Sequence, residues 1–474
     1  MNSMANLHLG NLAAKAGRFE AAAEYYRNSI QRLSKDYTRP RDCEALYQLG
    51  VMLKKQKKYE AAEDTLYRAT WDQAWHAAAY LELAEISMVY GRFDRALEQV
   101  DHSLSTNGRN PKALALKSMV LRHLKERADA GITAREALLM DPLEHMAAFE
   151  LLLANAISPS EFTSLLRGNR ENYLELACAY LDAGRYTEAA AVLDQALQSR
   201  DSELKSYPIL SYYRARIAEL QGDEGLADTL YSNASLAPTD YVFPFRFETI
   251  EILEAAIDHD TTDARAWYYL GNIYYDHQPN KALLCWKKSV DLHGGLAIAH
   301  RNLGWGYYLY LNHIPNAIGH YETAVRLNPE DPRYYYELDV LYELHNVSPE
   351  KRLALFSDHP EVSKGREDAF LREIEVLILN GLLDTALRHL SEHDFVRREG
   401  VTKVHELFVD ARLLKGRELL QAGDHAGALE HFLQADTYPP NQGIGRISIY
   451  PKEAQIYYFT GLAYQGMEEN GKAR

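Results

Sequence analysis

Arginine, asparagine and aromatic side chains recur at helical spacing between residues 265 and 336. Asparagine can donate to and accept from a peptide bond, and arginine can hold a carboxylate with two parallel hydrogen bonds. Tyrosine and tryptophan add contact area at low entropic cost. The candidate peptide-binding residues are Arg265, Tyr268, Asn272, Tyr275, Arg301, Asn302, Trp305, Tyr308, Arg333 and Tyr336. The alternative interpretation is a solvated surface with Arg–Glu pairs inside the chain.

Motifs for catalysis or for metal binding are incomplete in this chain. The His-Glu pair at 405–406 lacks a second histidine four residues on, because that position is Val409. The Gly-Ile-Gly segment at 443–445 lacks the third glycine and the preceding strand of a dinucleotide fingerprint and is interpreted as a turn. No phosphate-binding loop, nucleophile elbow or paired cysteine motif is found. We therefore expect no catalytic residue, metal site or cofactor.

The elements that must position these side chains form a repeat. Alanine recurs at Ala22, Ala62, Ala96 and Ala130, at intervals of 40, 34 and 34 residues. Such a period predicts stacked helical hairpins. A small residue after leucine is expected where two helices cross closely. Glycines of positive φ are expected to end the first helix of a hairpin, at Gly17, Gly91, Gly184, Gly222, Gly381 and Gly423.

The repeat resembles the tetratricopeptide repeat (TPR) family. One unit fits the family pattern with one deletion, at Trp267, Leu270, Gly271, Tyr274, Ala282, Trp286 and Ser289. The next fits with one insertion, at Leu303, Gly304, Tyr307, Ala317, Tyr321, Ala324 and Pro329. Good matches span 5–141, 171–240 and 264–330. The resemblance implies an all-α, right-handed superhelix of TPR-like hairpins.

The resemblance also implies that first helices line a concave groove that binds a protein or peptide. Asn272, Asn302 and Arg333 match the family's carboxylate clamp, whereas Tyr268 and Glu337 depart from it. This departure puts recognition of a terminal carboxylate in doubt. The leading hypothesis is a non-enzymatic binding scaffold, and homo-oligomerisation stays open.

We divide the chain into a regular TPR array (5–141), degenerate repeats (142–262), the best-matching repeats (263–345) and divergent helices (346–474). A long ordered loop is expected over 436–451. Repeat features begin by Leu7, and the last unit is incomplete. We therefore expect a piece of a longer protein, or ends that a partner covers.

The stretch 346–446 shows a second resemblance. It is similar to the C-terminal TPR array of bacterial proteins that carry an N-terminal β-sandwich region related to sugar mutarotases. This resemblance implies an alternative function as an accessory or dimerisation region of a larger carbohydrate-active protein whose β-sandwich region is absent here.

Bulk composition limits the partners. Lys plus Arg is 52 and Asp plus Glu is 67, a net charge of −15, which argues against nucleic acid. Three scattered cysteines and no signal-peptide pattern indicate a reducing, cytoplasmic location. No apolar run long enough for a membrane span occurs. The 33 tyrosines are expected to be mostly structural, with hydroxyls at the surface; sugar stacking is the alternative.

Overall fold

The computed structural model describes residues 2–35, 39–40, 42–396, 402–445, 451–468 and 470–473. These residues form 28 α-helices and two 3-10 helices, with no β-strand among them. The chain divides into an N-terminal unit, Met1–Leu292, and a C-terminal unit, His293–Arg474. The all-α fold of TPR-like hairpins is confirmed. Part of the loop expected over 436–451, residues 446–450, lies outside the described residues.

Helices of the N-terminal unit follow one another as hairpins. They are α1 (Ser3–Lys15), α2 (Phe19–Leu33), α3 (Glu44–Lys55), α4 (Tyr59–Ala69), α5 (Gln73–Val89), α6 (Phe93–Thr106), α7 (Pro111–His123), α8 (Arg127–Met140), α9 (His145–Leu153), α10 (Pro159–Leu166), α11 (Arg170–Asp182), α12 (Tyr186–Leu197), α13 (Ser202–Lys205), α14 (Pro208–Leu220), α15 (Glu224–Leu236), α16 (Glu248–His259), α17 (Ala264–Tyr274) and α18 (Pro279–Leu292).

The C-terminal unit continues the pattern with two 3-10 turns, Ser363–Gly365 and Pro440–Gln442. Its α-helices are α19 (Ala297–Leu309), α20 (Ile314–Leu327), α21 (Pro332–Leu344), α22 (Pro349–Ser357), α23 (Glu367–Leu379), α24 (Leu383–Glu392), α25 (Lys403–Gln421), α26 (His425–Ala435), α27 (Glu453–Gly466) and α28 (Asn470–Ala473).

The hairpin turns confirm the prediction made from the glycine spacing. All six turn glycines have positive φ, between 67° and 83°. Gly91 is the clearest case. No atom lies within 4 Å of a Cβ built on it, so the positive φ, and not a lack of space, is the reason for glycine at this position. Lys57 and Lys125 take the same left-handed conformation in other turns. The turn therefore tolerates a side chain at a conformational cost.

The small residue after leucine also has the predicted role. A Cβ built on Gly271 would lie 2.5 Å from Trp286 Cδ1, and one on Gly304 would lie 2.8 Å from Tyr321 Cδ2. Real side chains essentially never come so close, so each glycine lets an aromatic ring of the second helix lie on the first.

Buried tyrosines differ from the expectation in one respect. Tyr212 and Tyr213 are structural as predicted, yet their hydroxyls are not at the surface. The Tyr212 hydroxyl donates to Asp263 Oδ2 at 2.7 Å, and the Tyr213 hydroxyl lies 2.9 Å from Thr249 Oγ1. The expectation of surface hydroxyls is wrong for these residues, because each finds a buried polar partner.

Hairpins far apart in sequence meet inside the N-terminal unit. The Arg185 guanidinium donates to the Met88 carbonyl at 2.9 Å, and the Gln278 amide donates to the Ala16 carbonyl at 3.0 Å. The Lys55 ammonium forms an ion pair of 2.7 Å with Glu248. Turn ends of this unit are therefore joined to one another by polar contacts.

A buried charge network fixes α21 in the C-terminal unit. The Asp339 carboxylate is fully buried and accepts from Arg352 of α22, at 2.8 and 2.9 Å, and from Arg372 of α23, at 2.6 Å. Removing one partner of such a pair leaves an uncompensated buried charge. Asp339 thus ties three consecutive helices together.

Candidate functional site

The ten candidate residues lie on three first helices in two different units. Arg265, Tyr268 and Asn272 lie on α17 and Tyr275 just beyond it, all in the N-terminal unit, whereas the other six lie on α19 and α21 of the C-terminal unit. The two sets are therefore separate features, one in each unit.

Side chains of α17 are largely engaged inside the N-terminal unit. Tyr268 is only 1% exposed, so it cannot present its ring to a ligand in this conformation. The Asn272 carbonyl oxygen accepts from the Trp286 indole at 3.0 Å. Tyr275 packs against the same indole, with ring centroids 5.3 Å apart, and Arg265 donates to the Ser235 carbonyl. We leave Tyr268 out of the proposed surface.

Half-buried side chains of α19 form a continuous patch. The Arg301 guanidinium donates to the Asn302 carbonyl oxygen at 3.2 Å and lies 5.9 Å from the Trp305 ring centroid. The Trp305 ring is 5.6 Å from that of Tyr308. Because a cation within about 6 Å of an aromatic face is attracted to it, the patch is held together by its own contacts.

An ion pair joins this patch to α21. Arg301 donates from Nε to Glu337 Oε2 at 2.8 Å and makes a second, parallel hydrogen bond to the same carboxylate. Although burial alone would lower the pKa of Arg301, this bidentate pair raises it. Arg301 therefore stays charged, and it makes the kind of intramolecular pair that the alternative interpretation describes.

The start of α21 positions the last two candidates. Asp331 caps the helix by accepting from the Arg333 backbone N–H at 3.0 Å, and Pro332 occupies the first turn. The Arg333 side chain donates to the same carboxylate at 3.0 Å. Burial would raise the pKa of Asp331, but the hydrogen bonds from Arg333 lower it. Arg333 remains partly exposed beside its partner.

Sequence reasoning missed one contributor to this surface. Arg366 lies 6.0 Å from the Tyr336 ring centroid and pairs with Asp368 at 2.6 Å. It follows the 3-10 turn Ser363–Gly365, where the repeat pattern has loosened, so no register indicated it. We call Arg301, Asn302, Trp305, Tyr308, Arg333, Tyr336 and Arg366 the α19–α21 surface.

The α19–α21 surface combines cations and rings with amide groups. Arg301, Arg333 and Arg366 each have a carboxylate of this chain beside them. A ligand carboxylate would therefore have to compete with an internal partner. The Asn302 amide and the rings of Trp305 and Tyr336 also have contacts inside this chain, so a ligand would meet side chains that are already ordered.

The described part of the chain contains neither a cluster of candidate metal ligands nor a candidate membrane-spanning helix. No group of three or more His, Cys, Asp or Glu residues there could hold a metal ion. No helix among the described residues is long and apolar enough to cross a membrane.

Parts of the N-terminal unit are similar to a known repeat family. A family model described as "Tetratricopeptide repeat" matches residues 7–78 and 174–238. This chain resembles TPR proteins. The repeats over 263–345 lie outside the matched ranges, although α17 to α20 form two hairpins there. Their one-residue deletion and insertion are departures from the family spacing.

Solved structures with which the chain aligns include yeast Tom70, at 15% identity, 90% coverage of this chain, 96% of that chain and a TM-score of 0.25. Another is a chain of the APC/C hetero-tetramer Cut9–Hcn1, at 13% identity, 99% coverage of this chain, 92% of that chain and a TM-score of 0.29.

Proposed function

We propose that this chain is a non-enzymatic scaffold that binds a protein or peptide segment along the α19–α21 surface. The TPR matches support a protein-interaction scaffold. The observation that carries the proposal is the bidentate Arg301–Glu337 pair, which joins two consecutive first helices that carry half-buried rings.

Rigid presentation is the physical advantage of this arrangement. Side chains that are already ordered in the free protein lose little entropy when a ligand arrives. Trp305 and Tyr308 present half-buried rings on α19, and Arg333 presents donors at the start of α21. Residues Arg265, Asn272 and Tyr275, on and just beyond α17, are a separate candidate surface within the N-terminal unit.

The experiment is affinity capture from a bacterial lysate with quantitative mass spectrometry. Intact protein is compared with a Trp305→Ala/Arg333→Ala variant, and a partner recovered only by the intact protein supports the proposal. The matched control is Trp71→Ala/Arg39→Ala, which removes an exposed tryptophan and the arginine that lies 4.7 Å from its ring. A partner lost equally from both variants, or from neither, contradicts the proposal.

The alternative is an accessory region of a carbohydrate-active protein. It rests on the resemblance of residues 346–446 to arrays joined to a mutarotase-like β-sandwich. An upstream reading frame that encodes a β-rich domain in the same gene is the result expected from this alternative. A gene that starts at Met1, with no such domain, contradicts it.

A further inference from the structure

Between α15 and α16, the N-terminal unit exposes three aromatic rings on one short segment. Tyr241, Phe243 and Phe245 are 80%, 61% and 63% exposed, whereas the intervening Val242 and Pro244 are buried. From Val242 to Phe245, burial that alternates at every residue is the pattern of an extended chain, whereas Tyr241 lies in the preceding turn at φ 58°. We call residues 241–245 the aromatic segment.

Anchors at both ends hold the aromatic segment in place. The Tyr241 carbonyl accepts from the Arg170 guanidinium at 2.9 Å. Beyond the other end, Arg246 donates to Glu171 at 3.1 Å, and Phe247 packs edge-on against Phe19 at 6.0 Å. The rings are therefore held out by a fixed backbone, which reduces the entropy lost on binding.

The backbone of the aromatic segment has one edge that can pair. In an extended chain, the N–H and C=O of one residue point to the same edge, and those of its neighbours point to the other. Pro244 lacks an N–H, so its edge is poor in donors. On the opposite edge, no hydrogen bond joins the backbone of Phe243 or Phe245 to another described residue.

The size and charge of the aromatic segment indicate its partner. Three rings at these exposures present roughly 400 Å², about half of the roughly 800 Å² that each partner gives to a standard interface. This area suits a short peptide better than a second copy of the chain. Residues 241–245 are uncharged, and the adjoining exposed Asp240 has no ion pair with a described residue. A basic residue at one end of the partner would complement Asp240.

We propose that the aromatic segment is a second binding surface, which takes an extended peptide by strand pairing at Phe243 and Phe245. In this peptide every second side chain is apolar, and Lys or Arg occupies the end that lies next to Asp240. Backbone hydrogen bonds supply register, and alternate side chains pack beside the exposed rings. This surface shares no residue with the α19–α21 surface.

The probe is a random nine-residue peptide display library, selected on the intact protein. The enriched peptide is then synthesised with a fluorescent label and titrated against three proteins. The test variant is Tyr241→Ser/Phe243→Ser/Phe245→Ser. The matched control is Ile132→Ser/Leu139→Ser/Leu284→Ser, which replaces three exposed apolar residues elsewhere in the same unit. Both variants change exposed side chains, and circular dichroism checks that their melting temperatures match.

We expect alternating apolar peptides with a terminal basic residue to be enriched. They should bind the control variant within twofold of the intact protein and the test variant at least tenfold more weakly. Asp240→Arg should weaken binding severalfold without touching the rings. In hydrogen exchange, the amides of Phe243 and Phe245 should become protected by the peptide. N-methylation of its pairing amides should abolish binding.

Several results would overturn the proposal. One is a library that yields no peptide able to distinguish the intact protein from the test variant. Another is tight binding of the N-methylated peptide, or binding without protection of Phe243 and Phe245. Sedimentation that shows a dimer of the intact protein but a monomer of the test variant would assign the segment to a second copy instead. Failure of the α19–α21 variant in lysate capture leaves these readouts unaffected.

Discussion

Asparagine in place of Asp339 should strongly destabilise the C-terminal unit. The carboxylate is fully buried and accepts hydrogen bonds from two arginines, at distances of 2.6 to 2.9 Å. Asp339→Asn keeps the shape of the side chain but removes its charge and turns one acceptor into a donor. Breaking a buried pair in this way costs about 3–5 kcal/mol.

Hydrogen exchange with mass spectrometry measures this effect locally, which is useful in a chain of two units. Amides of α21 to α23 that exchange through opening of the unit should exchange roughly 100- to 5,000-fold faster in the variant, because each 1.4 kcal/mol is about tenfold. Amides of α1 to α4 should be unchanged, since they belong to the N-terminal unit.

The matched control applies the same chemistry at the surface. Asp384 is exposed and pairs with Lys415 at 2.8 Å. Surface pairs contribute about 0–1 kcal/mol, so Asp384→Asn should change exchange by only a few-fold. If both variants accelerated exchange equally, the idea that Asp339 fixes α21 against α22 and α23 would be wrong.

Three further predictions concern a close approach, a turn and a buried carboxylate. Gly304→Ala should lower the free energy of unfolding by about 1–3 kcal/mol in urea titration, because its Cβ would lie 2.8 Å from Tyr321 Cδ2. Gly91→Ala, at φ +68° in open space, should cost about 1 kcal/mol in the same assay. Burial would raise the pKa of Glu188, but hydrogen bonds from His123 and Arg122 lower it from 4.5 to about 2. Its stabilisation should therefore be present above about pH 4.5 and be lost as the pH falls towards 2, by up to about 3 kcal/mol.

Controls separate these effects from general disruption. Gly225 lies in the first turn of α15, its φ is not positive, and no atom lies within 4 Å of a Cβ built on it. Gly225→Ala should therefore stabilise the fold slightly, whereas Gly91→Ala should destabilise it. Equal effects of the two would contradict the argument from φ. Glu188→Gln should flatten the pH dependence of unfolding between 4.5 and 2; an unchanged slope would mean that other groups cause it.

Sequence reasoning predicts best where a local conformation decides. The turn glycines follow from a need for positive φ, and Gly271 and Gly304 follow from close helix crossings; both needs are visible in the spacing alone. A 34-residue repeat does not indicate which hairpins distant in sequence contact one another, such as those that carry Arg185 and Met88. For that reason the hydrogen bonds and the ion pair between distant hairpins of the N-terminal unit could not be predicted.

The candidate site is predictable only in part, for a related reason. A register places a residue on a helix face, but it does not say what covers that face. Tyr268 has a groove position in the register and is nevertheless buried, beside Tyr269 at 5.2 Å. Arg301 and Glu337 come from different helices, so their pairing depends on how those helices stack. Arg366 lies outside any recognisable repeat.

Binding surfaces in this chain should therefore be sought where the repeat is interrupted as well as where it is regular. A regular hairpin uses its aromatic residues to fill the space beside a glycine, as Trp286 and Tyr321 do. Among the described glycines, none would bring a Cβ against Tyr241, Phe243 or Phe245, and these three rings are exposed. An exposed apolar patch persists at the expense of solubility, which favours a role in binding over a role in packing. If the triple serine variant of this segment kept its melting temperature and lost its selected peptide, the interruption itself would be the functional feature.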